Sequence, residues 1–410
     1  MTTEKLYWQR PEARAFEVPS FQKSAYRGAP SVVLPSTLFY PEAGGQLGDR
    51  GELTIGDRTI AVVDTQIDEA GVIHHLVGEL PEDLPEGAGC PARGALDAAR
   101  RDDQTAQHTA QHMLSQALVE AARAETLSAR LGEQTSTIDV DAASLDDAAL
   151  ARAEDRVNAV IRADVPVTAS FPSPDELARL PLRRAPKVAT GIRVVIVADF
   201  DVTPCGGTHV ATTGRIGAVH VGGVERYKGG TRVTFVAAAR AIDKARQDAR
   251  RIAALCRELT CGPADIGAQV DKARADLRAA QAAASALRGE LARHVADAHL
   301  AALPDGAFGV VLVVRDDADV PMLRAIAERV TSRPRLVAVC VARDGAGGRP
   351  VVVQRGAGAE VDCGKLLKAL AASAGGRGGG RPERAEGRLE DVGDDVLASL
   401  VKSLPHPASA

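Results

Sequence analysis

The sequence predicts an α+β protein built in series. It reads as a small N-terminal β-barrel-like subdomain over residues 1–90, an α+β domain over 91–237, a helical hairpin arm over 238–302 and a C-terminal α/β domain over 303–410. Three observations predict this order. Short β-rich runs broken by turn residues occupy the first ninety or so positions; strand-like and helix-like runs then mix; and from Ala238 the composition turns to Ala, Arg, Asp and Gln at helical spacing before strand–helix alternation returns. At 410 residues, 45% hydrophobic and 25% charged, the chain can bury several cores and has no disordered signature.

In the first segment, runs at 31–34, 51–55 and 59–63 read as strands, with Gly56-Asp57 as a hairpin turn. The proline- and glycine-rich stretch 81–91 closes this unit. Asp102 or Asp103 then caps a helix running to about residue 124. A strand over 135–140, a helix near 146–163, a strand over 193–200 and strands around 215–224 and 232–237 complete the second domain.

In the arm, Ile242, Ala245, Ala249, Ile252, Cys256 and Leu259 step by three and four, and so do Ile266, Val270, Ala273, Leu277, Ala280, Ala284, Leu287 and Leu291. Each set is a heptad seam, and Gly262-Pro263 between them supplies a helix stop and a helix start. The small alanine seam predicts close antiparallel packing, with the arm serving as a spacer or a dimerising element. Beyond it, strands at 308–314 and 336–341 flank a helix near 320–330, as in a small parallel sheet. A following helix ends in a glycine-rich loop carrying Arg377 and Arg381. Such a loop is either a flexible linker or, with exposed N–H groups beside cations, a phosphate cradle. Lys365, Lys368, Arg377, Arg381, Arg384 and Arg388 make a local basic patch in a chain of formal net charge −4.

The first ten residues contain no apolar signal core, and no run approaches the roughly 18 apolar residues of a membrane span. A cytoplasmic protein with no membrane partner is expected. Its six cysteines have no framework spacing, and five of them read as reduced thiols.

The sixth, Cys205, belongs to a constellation. His108-Thr109-Ala110-Gln111-His112 places two imidazoles on one helical face, and Cys205-Gly206-Gly207-Thr208-His209 adds a thiol and a third imidazole at a tight turn after an apolar run. An HxxxH pair alone is more often two core or surface histidines; the second pair turns the reading to one zinc site formed by His108, His112, Cys205 and His209. Position 109 is Thr where a metalloprotease HExxH motif needs its general-base Glu, which argues against a peptidase.

Three motifs then coincide. Thr37-Leu-Phe-Tyr-Pro-Glu-Ala-Gly-Gly-Gln-Leu-Gly-Asp-Arg-Gly51 resembles the glycine-rich segment of the alanyl-tRNA synthetase editing domain, with Ala43 and Leu47 standing where that family has Gly and Pro. The zinc quartet matches the same domain, and Gly375-Gly-Arg-Gly-Gly-Gly-Arg-Pro382 is similar to the C-terminal domain of that synthetase. The chain thus resembles the long form of AlaX, the family of free-standing alanyl-tRNA editing proteins, with no aminoacylation domain expected ahead of a segment that begins close to Met1. The resemblance implies an aminoacyl-tRNA hydrolase that removes serine or glycine from mischarged alanine tRNA in trans. Thr37 is then expected to bond the serine hydroxyl and Gln46 to orient the aminoacyl group or water. Lys365, Arg377 and Arg381 are expected to contact tRNA, with a homodimer formed through the arm and the C-terminal domain. The zinc either activates water, if one of its positions is open, or organises the pocket. Two other classes remain: a non-catalytic RNA-binding protein with a structural zinc, and a zinc hydrolase of small esters or amides.

Overall fold

The computed structural model describes residues 2–84, 89–186, 188–343 and 347–403, so positions 85–88 of the expected closing stretch lie outside the described residues. The chain divides into two compact units, residues 1–254 and 255–410.

In the first unit, β1 (Ala15–Val18), β2 (Gln22–Tyr26), β3 (Ala29–Val33), β4 (Gly51–Ile55), β5 (Arg58–Ile67), β6 (Ile73–Val77) and β7 (Ala92–Leu96) form one antiparallel sheet in the order β1-β7-β4-β5-β6-β3-β2. Among the described residues no ladder joins the end strands β1 and β2, so the sheet is open where a barrel-like unit was expected. Alternation sets its buried face: Phe16 and Val18 on β1, Leu53 and Ile55 on β4, and Ile60 and Val62 on β5 point into one core with Phe21, Leu34 and Phe39. The expected Gly56-Asp57 turn joins β4 to β5, with Ile55 paired to Arg58 and Gly56 at φ +58°.

Helix α1 spans Ala98–Ala122, and its cap is Asp97, whose carboxylate accepts from the Arg100 N–H at 3.0 Å. The expected caps fall inside the helix, where Asp102 is paired with Arg14 and Asp103 with Arg240. His108 and His112 therefore lie in the middle of α1. Strand β8 (Thr126–Leu131), which the sequence reading missed, precedes β9 (Ser136–Val140) and helix α2 (Asp147–Arg162). Then come β10 (Val167–Ser170), β11 (Val194–Val197), β12 (Asp201–Pro204), β13 (Val219–Tyr227) and β14 (Gly230–Ala237). They form a sheet β8-β9-β14-β13 and a sheet β10-β11-β12. The run expected as one strand at 193–200 is a hairpin that turns at Asp199, φ +55°, and returns as β12. Met113, Leu114 and Leu118 of α1, Val157 of α2 and Phe235 of β14 share one core.

Helix α3 (Ala239–Leu259) crosses the division between units, and α4 (Ile266–Ala301) opens the second. Both expected helices form, but the apolar seam on them is largely at the surface: Ile242 is 57% exposed, Leu277 58% and Leu287 65%. Burial on α4 begins only at Ala292, Val295 and Ala296, which pack on α5 (Val320–Thr331) and on the sheet. That sheet contains β15 (Gly309–Val314), β16 (Leu336–Val341), β17 (Gly348–Arg355), β18 (Gly376–Gly380) and β19 (Arg384–Glu390), in the order β15-β16-β17-β19-β18. Only β15 and β16 are parallel, so the expected parallel sheet is mixed. Strand β16 is buried along its whole length because Leu336, Ala338 and Cys340 face α5 while Val337, Val339 and Val341 face α6 (Cys363–Ala374) and α7 (Asp394–Ser403).

The glycine-rich stretch expected as a loop is the edge strand β18. A Cβ at Gly378 would sit 2.7 Å from Leu367 Cδ2 and 2.8 Å from Gly387 Cα, so glycine lets helix α6 and strand β19 close on this edge. Lys365, Arg377 and Arg381 are exposed on this part of the unit. No described helix is long and apolar enough to cross a membrane.

Candidate metal centre

One turn of α1 separates His108 from His112, and both imidazoles are buried on the face that meets the turn after β12. That turn carries Cys205 and His209. One donor atom from each of the four residues lies within 4.8 Å of the others, with Cys205 Sγ 3.4 Å from both His108 Nε2 and His209 Nε2. A tetrahedral zinc with S and N ligands holds such atoms about 3.5 Å apart. The donor set and its spacing fit that ion. Burial raises the Cys205 thiol, but the three imidazoles outweigh it and hold the sulfur well below its ordinary pKa, while burial drives His209 down to about 3. Thiolate and neutral imidazole are the ligand forms.

Each imidazole is oriented by a partner behind it. Gln46 Oε1 accepts from the Thr208 backbone N–H at 3.1 Å, which fixes the amide, and the same oxygen receives His108 Nδ1–H at 2.7 Å. Nε2 of His108 is thereby left as the donor atom. Thr109 Oγ1 donates to Thr105 O and receives His209 Nδ1 at 3.2 Å, so the threonine that replaces a peptidase glutamate aims a ligand. His112 Nδ1 faces Asp201 Oδ2 at 3.4 Å, and Asp201 is held by Arg183 Nε at 2.7 Å and by the Thr203 hydroxyl. A carboxylate behind a ligating histidine raises its basicity and fixes its ring. Arg193 Nη1 ties down the turn by donating to Cys205 O at 3.0 Å and Gly207 O at 2.9 Å.

The glycine-rich segment before β4 delivers Gln46. Ala43 and Gln46 exchange backbone hydrogen bonds across Gly44 and Gly45, both at positive φ, a two-residue turn that excludes most side chains. A Cβ on Gly45 would lie 2.3 Å from Ala129 O, whereas Ala43 occupies a position where a side chain is accommodated. Asp49 anchors the far end by pairing with the buried Arg101 of α1 and accepting the Tyr40 N–H.

Gln46 is fully buried, and its Nε2 donates to Thr208 Oγ1 in the turn that carries Cys205 and His209. Thr37 is fully buried as well; its hydroxyl meets His75 Nε2 at 2.8 Å and accepts the Phe39 N–H. Because His75 Nδ1 donates to Val32 O, Nε2 accepts from Thr37, and the hydroxyl is spent inside the β-sheet core. Thr37 does not line the cleft that the metal centre opens into.

That cleft has a volume of about 680 Å³ and is walled by His108, Cys205, Tyr40, Gly44, Gly45 and Gln111, among others. Gln111, which the sequence reading passed over, has its Nε2 committed to Ser115 Oγ, itself bonded by Thr126. Asp201 was also missed, although Asp201, Thr203 and Cys205 stand two residues apart, the spacing of one strand face. Lys365, Arg377 and Arg381 belong to the second unit.

Family models match three segments: tRNA synthetases class II (A) over residues 13–93, the threonyl and alanyl tRNA synthetase second additional domain over 192–234, and the DHHA1 domain over 306–405. An alanine–tRNA ligase of Halorubrum lacusprofundi is 33% identical across 97% of this chain and 44% of its own length. The alanyl-tRNA editing protein AlaX-L of Pyrococcus horikoshii is 35% identical across 59% of each chain. The chain is thus similar to an alanyl-tRNA editing protein and to alanine–tRNA ligases. It spans about 44% of the ligase and 59% of AlaX-L. The solved C-Ala domain of Aquifex aeolicus alanyl-tRNA synthetase is 18% identical with a TM-score of 0.21, covering 25% of this chain and 97% of that one.

Proposed function

We propose that this AlaX-like chain hydrolyses the ester between an amino acid and the terminal ribose of mischarged alanine tRNA, removing serine and, by its smaller size, glycine, in trans. The observation that carries this is that two of the four convergent donor residues, His108 and Cys205, line a cleft large enough for an aminoacylated nucleotide. When bound there, zinc supplies a Lewis-acidic centre beside the ester. Gln46, Thr109 and Asp201 hold the three imidazoles in place, and the Gly44-Gly45 turn brings backbone close to the aminoacyl group. Gln111 faces the cleft with its Nε2 tethered to Ser115, so its Oε1 is the acceptor for a serine hydroxyl, a group that alanine lacks. In the second unit, Lys365, Arg377 and Arg381 bind tRNA phosphates, and the exposed apolar positions of α4 pair with a second copy.

Deacylation of seryl-, glycyl- and alanyl-tRNA, with zinc measured on the same sample, tests the reading. Hydrolysis of the first two with alanyl-tRNA spared is expected. A zinc-loaded chain that binds tRNA and cleaves none of them would instead establish a non-catalytic RNA-binding protein, the reading that a complete four-donor set favours.

A further inference from the structure

The cleft at the metal centre has a neighbour. A second cavity of about 570 Å³ shares Lys5, Trp8 and Arg193 with it and adds Phe171. Trp8 is the chain's single tryptophan in a sequence that is 3% aromatic. Its Nε1–H donates to Gly206 O at 2.8 Å, inside the turn that carries Cys205 and His209, so the indole is registered to the metal centre. Phe171 meets it edge-on with ring centroids 5.4 Å apart and is itself 52% exposed. Lys5 Nζ sits 4.5 Å from the centre of the indole ring. An exposed phenylalanine beside a half-buried tryptophan adds little to a core. Aromatic rings beside cations are what single-stranded nucleic acid needs, since every base has a face to stack and every nucleotide a phosphate.

We propose that this second cavity binds the unpaired nucleotides that precede the esterified terminal nucleotide, stacking a base on the Trp8–Phe171 pair and placing a phosphate at Lys5. The inference rests on the reading that the metal cleft holds a terminal aminoacyl-nucleotide, because the preceding nucleotides must then leave that cleft across its rim. The bond from Trp8 to Gly206 makes a stacked base a fixed distance marker for the ester.

The single tryptophan is its own reporter. The zinc-loaded full chain is titrated with the uncharged trinucleotide CpCpA while Trp8 fluorescence is followed. Saturable quenching is expected, weakened about tenfold by Phe171→Ala, the scale of losing one stacking surface. Lys5→Ala should lower the slope of log affinity against log salt by up to about one unit. Both variants should keep their zinc. Absence of quenching, affinity within twofold after Phe171→Ala, or equal quenching by adenosine monophosphate alone would overturn the inference. The two readings fail separately: Phe171-dependent quenching in a chain that deacylates nothing refutes the hydrolase alone, and deacylation without quenching refutes the stacking site alone.

Discussion

Two adjacent glycines in the Cys205–His209 turn should respond in opposite ways to the same methyl group. A Cβ on Gly207 would lie 2.1 Å from His108 Cε1, 2.4 Å from its Nδ1 and 3.0 Å from Gln46 Oε1. Carbon atoms settle at about 3.5 Å, so the ring would have to retreat by roughly 1.4 Å. Metal–ligand distances tolerate only about 0.2 Å, so Gly207→Ala removes His108 as a ligand and breaks its bond to Gln46. Losing an outer partner alone costs about 10–100-fold in metal affinity, so at least about 100-fold is expected here. On Gly206 the nearest atom to a new Cβ is Trp8 Cζ2 at 3.7 Å, an ordinary contact, and Gly206→Ala should keep its zinc affinity within about threefold. Competition titration against a chromophoric chelator measures both. A Gly207→Ala chain that binds zinc as tightly as its parent would refute the assignment of His108 to the centre.

Asp201→Asn keeps the shape but not the charge behind His112, and zinc affinity measured in the same titration should fall about 10–100-fold; an unchanged value would remove Asp201 from the centre. Thr37→Val loses the bond to His75 and leaves the Phe39 N–H unpaired, so urea unfolding should show a loss of about 1–3 kcal/mol with the ratio of seryl- to alanyl-tRNA hydrolysis unchanged. A changed ratio with unchanged stability would return Thr37 to substrate selection. Burial pushes His75 down from 6.5 to about 4, so between those values the unfolded chain binds a proton that the native chain refuses. Stability therefore falls as pH drops through that window, by about 3 kcal/mol from this group, and His75→Gln should flatten the fall in urea midpoints; an equal fall in both chains would refute it. Arg377→Ala with Arg381→Ala should raise the Michaelis constant for seryl-tRNA, spare turnover at saturation and lower the salt slope by up to about two units; lost turnover with unaltered salt dependence would separate these arginines from phosphate binding.

What the sequence determined by itself was local. The four metal donors follow from residue type and spacing, because an i, i+4 pair shares a helix face and a Gly-Gly turn folds Cys205 back toward His209 whatever surrounds them. The two long helices α3 and α4, the buried strands β15 and β16, and α5 between them were legible for the same reason, since their periodicity is written in contiguous residues. Tertiary structure decided whatever depended on distant partners. Gln46 and Thr37 are polar residues in one glycine-rich motif, yet one meets His108 and Thr208 while the other meets His75, and nothing near either position states which. The stretch 376–380 looks like a linker until Leu367 and Gly387 close on it, because glycine permits both a flexible loop and the tightest packing. Asp201 acquires its role only from His112, on another element 89 positions earlier. A side chain's chemistry is set by its own atoms, but the group it faces is set by how separate elements pack.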